Sequence, residues 1–191
     1  MALDFLVLSW DDIISITLKL GKMIKKSDFS PDFLIGVARG GLVPLRVLSD
    51  FFNNTNIAII NVKLYKDIAE REQVTFVQKI DFELSDKKVL VIDDVADTGL
   101  TLKAVVDYLR NEKKVKILKT ATLHYKPWSV IKPDYYVEEV EKWIVYPWEF
   151  VESLTLISEK INSGVLKGIE RDNAEKALKE IRNQLQKYDS V

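Results

Sequence analysis

The stretch VLVIDDVADTGLTL, residues 89–102, gathers residue types that can do chemistry. An apolar, β-branched run ends in two adjacent carboxylates, Asp93 and Asp94. Ala96, Asp97, Thr98 and Gly99 follow, and Leu100 and Thr101 then open a helical pattern. In an open α/β sheet, ligands sit beyond the carboxyl ends of the strands, which is where this loop falls. A glycine-containing turn at a helix N-terminus offers backbone amides and the positive end of a dipole, the requirements of a phosphate cradle. Thr98 and Thr101 add hydroxyl donors. Three carboxylates next to an anion need positive charge between them, which bound Mg²⁺ or charge developing on a substrate would supply. The Asp-Asp pair alone is equally well read as a solvated acidic turn capping a helix, since Asp and Thr are good N-caps. The longer ordered run, with Thr-Gly-x-Thr at the helix start, favours the cradle.

Composition narrows the chemistry further. The 191 residues carry 28 Lys+Arg against 29 Asp+Glu, a formal net charge of -1. This balance gives no general electrostatic case for binding nucleic acid. With 47% hydrophobic and 30% charged residues the chain is neither disordered nor a membrane protein, and no apolar run reaches the about 18 residues of a membrane span. The start, MALDFLVLSWDD, lacks the basic region of a secretory signal, so a cytoplasmic location is expected. No Cys is present, which removes disulfides, thiol catalysis and cysteine metal sites, and the single His removes metal sites built from several. Carboxylates, hydroxyls, Lys/Arg and backbone amides remain.

The elements that must position these groups alternate. Residues 9–27 read as a helix, with Ser9 and Asp12 at capping-box spacing and Ile13, Ile16, Leu20 and Ile24 at helical intervals; Gly21 is its one local inconsistency. Strands are expected at 33–38, 57–65, 88–95 and 115–125, the third apolar enough to be covered on both faces. Helical patterns fall at 41–52 and at 100–112, where Leu102, Val105, Val106 and Leu109 share a face. Such alternation predicts a doubly wound α/β sheet. Residues 66–82 are charged and poorly periodic, either a mobile functional loop or a plain β-hairpin. Residues 126–150 read as aromatic and irregular. Two helices close the chain at 151–163 and 169–188, the latter with an apolar stripe of Ala174, Ala177, Leu178, Ile181 and Leu185 for packing or an oligomer contact.

Two rival readings of the acidic strand end fail on sequence. A Walker B strand needs a GxxxxGK[ST] partner, and none exists. A phospho-receiver domain needs an acceptor Asp on a later strand, where VEEV at 137–140 offers only Glu. The run VLVIDDVADTGLTL instead resembles the phosphoribosyl-pyrophosphate (PRPP) signature of the type I phosphoribosyltransferases. GVARGGLVPLRVLSD, residues 36–50, is similar to the pyrophosphate loop of the 6-oxopurine branch, and WIVYPWE, residues 143–149, to the hood segment of its xanthine–guanine members.

The resemblance covers about residues 5–150. It implies a central, mostly parallel sheet flanked by helices, with a small hood and a C-terminal helical extension. The transferase domain would take residues 1–150, with 127–150 and the N-terminus forming most of the hood, and 151–191 the extension. The implied activity is purine salvage: transfer of 5-phosphoribosyl from PRPP to hypoxanthine, guanine or xanthine, with Mg²⁺ as cofactor. The products are a nucleoside 5'-monophosphate and pyrophosphate. Asp93 and Asp94 would face the ribose hydroxyls directly or through the metal, and Asp97 would accept a proton near purine N7. The segment Ala96, Asp97, Thr98, Gly99, Leu100 and Thr101 would hold the 5'-phosphate. Ala38, Arg39, Gly40 and the loop residue Arg71 would bind pyrophosphate. In the family the peptide before this Arg is often cis, so the Ala38–Arg39 bond is expected to be unusual. Lys126 would hydrogen-bond the oxygen at purine C6, Trp143 would stack on the base, and the backbone near Ile144 would meet its edge. Glu149 stands where the family generally carries an Asp near the metal. His124 matches no family role and is expected to be structural. A homodimer or higher homo-oligomer is implied, with no nucleic-acid or membrane partner. The alternatives are another base (adenine, uracil or orotate) and a PRPP- or nucleotide-sensing RNA-binding regulator on the same fold. A Lys donor suits an oxo group and opposes an exocyclic amine, which favours the 6-oxopurine.

Overall fold

A computed structural model describes residues 2–66 and 72–187. They cluster as two compact units, residues 14–140 and residues 1–13 with 141–191. The boundary expected at residue 150 lies inside the second unit.

The larger unit is built on a six-stranded sheet of β2 (Phe33–Ala38), β3 (Ile57–Lys66), β4 (Glu72–Gln78), β5 (Lys88–Ala96), β6 (Ile117–Tyr125) and β7 (Tyr135–Glu139). A three-residue strand, β1 (Phe5–Val7), belongs to the smaller unit. The sheet order is β4-β3-β2-β5-β6-β7; every pair is parallel except β3–β4. Central strand β5 is buried without interruption from Val89 to Asp94, as its apolar run predicts for a strand covered on both faces. Along it and its neighbour the side chains alternate. Ile35, Val37, Val89 and Val91 point into a core shared with Leu102, Val105, Val106 and Leu109 of α3 (Leu100–Asn111), the four residues expected on one helix face. On β2 the absent side chain of Gly36 leaves room for Leu45 of α2 (Leu42–Phe51), whose Cδ2 lies 2.7 Å from where a Cβ would stand.

The first helix, α1 (Trp10–Lys26), starts at the expected capping box. The Ser9 N–H donates to Asp12 Oδ2 at 2.8 Å and the Asp12 N–H to Ser9 Oγ at 3.2 Å. Its Gly21 has a packing reason, because a Cβ there would come within 2.7 Å of the Phe51 ring. The smaller unit pairs β1 in parallel with β8 (Trp143–Val145) and packs α4 (Phe150–Asn162) and α5 (Ile169–Gln186) around Val145, Phe150, Ile157 and Leu166. The α5 stripe serves this packing: Ala174, Ala177, Leu178 and Ile181 are all buried in that core.

The structure departs from expectation in two places. Residues 126–150 are not irregular throughout, since they carry β7 and β8. Residues 5–7 form a strand that no pattern announced. Three-residue strands such as β1 and β8 are too short for a period to register, and each exists only through its distant partner. Of the two readings for 66–82, the hairpin forms: β4 runs antiparallel to β3, with a register shift at Asn61/Val62.

Candidate functional site

The sheet order reverses between β2 and β5. The chain leaves β2 toward β3 on one side and leaves β5 toward β6 on the other. The loops after these two strands therefore diverge and leave a crevice at their carboxyl ends, the place where open α/β sheets bind ligands. Both loops are the glycine-bearing segments singled out in the sequence.

After β2 the Ala38–Arg39 peptide is cis, as the resemblance implied. Gly40 and Gly41 then lead into α2, with the Gly41 N–H donating to the Val37 carbonyl at 2.9 Å and the Leu42 N–H to the Arg39 carbonyl at 3.1 Å. A side chain at either glycine would force its neighbours to move. A Cβ on Gly40 would stand 2.0 Å from Asp94 Oδ2, and one on Gly41 would stand 2.4 Å from the Ile92 carbonyl. The first loop is thus pressed against the acidic end of β5. After β5, Gly99 sits at φ +79° as the N-cap of α3, a left-handed conformation that favours glycine. Its bare Cα also lets Ser129 and Ile131 close in, with Ser129 Oγ 2.3 Å from a notional Cβ. No side chain caps α3, no acidic residue stands in its first turn, and the Leu100 N–H makes only a long contact, 3.4 Å, to Thr98 Oγ1. A helix start with no side-chain cap and no acidic residue in its first turn is chemically ready for an anion.

Asp93 and Asp94 are both buried. Oδ1 of Asp93 accepts the Asp94 N–H at 3.0 Å, and Oδ1 of Asp94 accepts the Val95 N–H at 2.7 Å. Burial pushes the Asp93 carboxyl well above the usual carboxylate range. The neighbouring Asp94 charge raises it further, against the opposing pull of the Asp94 and Gly41 amides. A carboxyl in this condition gains from a cation. Among the described residues no group of three His, Cys, Asp or Glu side chains could hold a metal by itself. The adjacent carboxyls of Asp93 and Asp94 suit Mg²⁺, which takes one or two carboxylates and completes its shell with substrate oxygens and water.

Strand β6 ends alongside the second loop, in register through Ala96 and Tyr125. Lys126 is buried, and its N–H donates to the Ala96 carbonyl at 3.0 Å. Two residues earlier His124 is fully buried, and burial, then the Lys126 charge, hold its imidazole down at about 4. It is neutral at physiological pH, in keeping with a structural role.

A cavity of about 400 Å³ lies in the crevice, lined from three strands by Ala38, Arg39, Asp93, Asp97, Thr98 and Thr101 among others. Ala96 and Gly99 also line it, with Val62 and Leu64 of β3 as its apolar wall. A larger hollow of about 710 Å³ sits at the opposite end of the sheet, before β2 and β3, around Phe51, Phe52 and Asn53–Asn56. There the Asn54 and Asn56 amides already bond the Pro31 and Asp32 carbonyls. We place the candidate site in the smaller cavity, where the carboxylates and both glycine loops converge.

The described residues thus bring together most of the expected set, with Gly40 against Asp94, Leu100 at the α3 start and Lys126 against the second loop. Arg71 lies outside the described residues. Trp143, about half exposed, and Ile144, buried, both on β8, and Glu149, ending a short 3-10 turn at Pro147–Glu149, belong to the smaller unit. Sequence reasoning passed over Val62, Leu64 and Trp128. Trp128 Nε1–H donates to Asp97 Oδ1 at 3.3 Å, and its place two residues past Lys126, after a turn proline, was the available signal.

A model of the phosphoribosyl transferase domain matches residues 9–153. Xanthine phosphoribosyltransferase 1 of Saccharomyces cerevisiae is 26% identical over 196 residues, spanning 80% of this chain and 94% of its own. The hypoxanthine-guanine phosphoribosyltransferase of Aquifex aeolicus is 33% identical over 119 residues, 60% of this chain and 66% of its own. Among solved structures, a purine phosphoribosyltransferase from Pyrococcus horikoshii superposes with a TM-score of 0.70 at 38% identity, covering 76% of this chain and 94% of its own.

Proposed function

The chain belongs to the phosphoribosyltransferase family, and we propose that it transfers 5-phosphoribosyl from PRPP to a ring nitrogen of a 6-oxopurine. Hypoxanthine, guanine and xanthine are the candidate bases, and the products are a nucleoside 5'-monophosphate and pyrophosphate. The observation that carries this reading is the convergence of Arg39 from the loop after β2 and of Asp93, Asp97, Thr98 and Gly99 from the end of β5 and its loop on one crevice at the β2/β5 reversal, with Asp94 held against Gly40. The purine-named relatives and the buried Lys126 beside the second loop support the choice of base.

In this reading Thr98, Gly99, Leu100 and Thr101, with Ala96 and Asp97, hold the 5'-phosphate through amides, hydroxyls and the start of α3. The Ala38–Gly40 loop receives the leaving pyrophosphate, with Arg39 as a bidentate donor. As the bond from C1 to the pyrophosphate oxygen breaks, the ribose gains positive charge, which the Asp93–Asp94 pair stabilises. The ring nitrogen bonds to C1, and Asp97 accepts the proton released at purine N7. Lys126 donates to the oxygen at C6. Mg²⁺, when bound by the carboxylate pair together with substrate oxygens, neutralises charge on the pyrophosphate. Residues 1–150 carry this activity and 151–191 extend them, a division close to the end of the family match at residue 153.

The test is a spectrophotometric assay with PRPP and Mg²⁺ against hypoxanthine, guanine, xanthine, adenine, uracil and orotate. Mg²⁺-dependent monophosphate formation from a 6-oxopurine is the expected result. Product from another base alone corrects the substrate. No product from any base, with PRPP still bound, overturns the enzyme and points to a regulator.

A further inference from the structure

Lys126, Pro127, Trp128 and Ser129 form a tight turn after β6, closed by the Ser129 N–H on the Lys126 carbonyl at 3.0 Å, with proline at its favoured second position. Three hydrogen bonds stitch this turn and the residue after it to consecutive residues of the second loop. The Lys126 N–H reaches the Ala96 carbonyl at 3.0 Å, Trp128 Nε1–H reaches Asp97 Oδ1 at 3.3 Å, and the Val130 N–H reaches the Thr98 carbonyl at 2.9 Å. The outer two are backbone bonds and hold the turn whatever side chain stands at 128. The middle one is made by side chains only, so what Trp128 adds falls on the Asp97 carboxylate. Trp128 is 54% exposed, too open to owe its place to the core. Its ring also faces the other polar group of the base site, with Lys126 Nζ 5.3 Å from the ring centroid, within cation–π range.

One indole therefore engages both groups assigned to one edge of the purine, the acceptor for N7 and the donor for the C6 oxygen. Its edge orients the carboxylate and its face orients the ammonium. We propose that Trp128 is the positioning residue of the base site, acting on turnover through Asp97 and on base affinity through Lys126. This rests on the reading of the chain as a 6-oxopurine phosphoribosyltransferase.

The test is steady-state kinetics of wild type, Trp128→Phe and Trp128→Ala, with KM measured separately for base and PRPP and with thermal midpoints recorded. Trp128→Phe keeps an aromatic face and loses the N–H; it is expected to lower kcat about five- to tenfold with KM for the base within about twofold. Trp128→Ala loses both contacts and is expected to show a similar kcat loss with KM for the base raised about fivefold. KM for PRPP and the thermal midpoint stay at wild-type values in both. Wild-type kcat in Trp128→Phe overturns the proposal, as does a parallel rise in both KM values with a lowered midpoint, which marks a structural role. Absence of turnover in the wild type instead overturns the underlying enzyme reading.

Discussion

His124 is the only histidine of the chain, fully buried on β6, and its imidazole is held at about 4 against an ordinary 6.5. Burial is the larger cause and the Lys126 charge the smaller. Linkage turns this into acid lability. Below pH 6.5 the unfolded chain takes up a proton that the folded chain refuses until about pH 4, so stability falls as pH falls through that window. At about 1.4 kcal/mol per pKa unit, the whole interval from 6.5 to about 4 amounts to about 3.4 kcal/mol. At pH 5 the share already lost is about 2 kcal/mol. For a domain of this size that lowers the unfolding midpoint by about 4–8 °C between pH 7.5 and pH 5, relative to a His124→Gln variant measured alongside. The variant is the necessary reference, because the carboxylates shift with pH as well. With a single histidine, the imidazole carbon–proton signal in an NMR titration reads the ionisation directly. An imidazole titrating near 6.5, or a variant that loses as much stability at pH 5 as the wild type, refutes the reasoning.

Asp97→Asn is expected to lower kcat about 10²- to 10⁴-fold while PRPP affinity, read by calorimetry, changes little; unchanged turnover refutes its role as proton acceptor. Asp93 gives the opposite pH sign to His124. Its raised pKa means the folded state keeps a proton that the unfolded chain releases above about 3.8, so stability falls as pH rises. In metal-free buffer, Asp93→Asn is therefore expected to melt above wild type at pH 8 and to lose that advantage toward pH 4, with turnover abolished throughout. A gap that does not depend on pH contradicts this. Gly40→Ala places a Cβ 2.0 Å from Asp94 Oδ2, which forces the carboxylate or the loop to move by about 1 Å. Misplacement on that scale predicts a loss of about 100-fold in kcat/KM for PRPP with the fold intact by circular dichroism, and wild-type kinetics would show that Asp94 does not need its position.

Local and contiguous features were legible without coordinates. The buried strand with Asp93 and Asp94 at its end, the Gly99 turn, the start of α3 and the Ser9–Asp12 capping box all lie within a few residues of themselves. Their geometry follows from φ preference, alternation and helical period. The role of Gly21 was not legible, because its reason is the Phe51 ring of another helix. Strands β1 and β8 were invisible for the same cause: three residues carry no period, and only a partner far along the chain makes them strands. Within the site, residue types and spacing singled out the carboxylates and the Gly99 turn, and the family resemblance added Arg39 and Lys126. Tertiary structure decided that Gly40 presses on Asp94, that Asp93 is buried enough to resist ionisation, and that the Trp128 indole reaches Asp97. Which groups exist and which loop each occupies follow from short-range patterns. The order of the strands, and with it the crevice between β2 and β5 where those loops meet, depends on contacts between distant segments that no local pattern encodes.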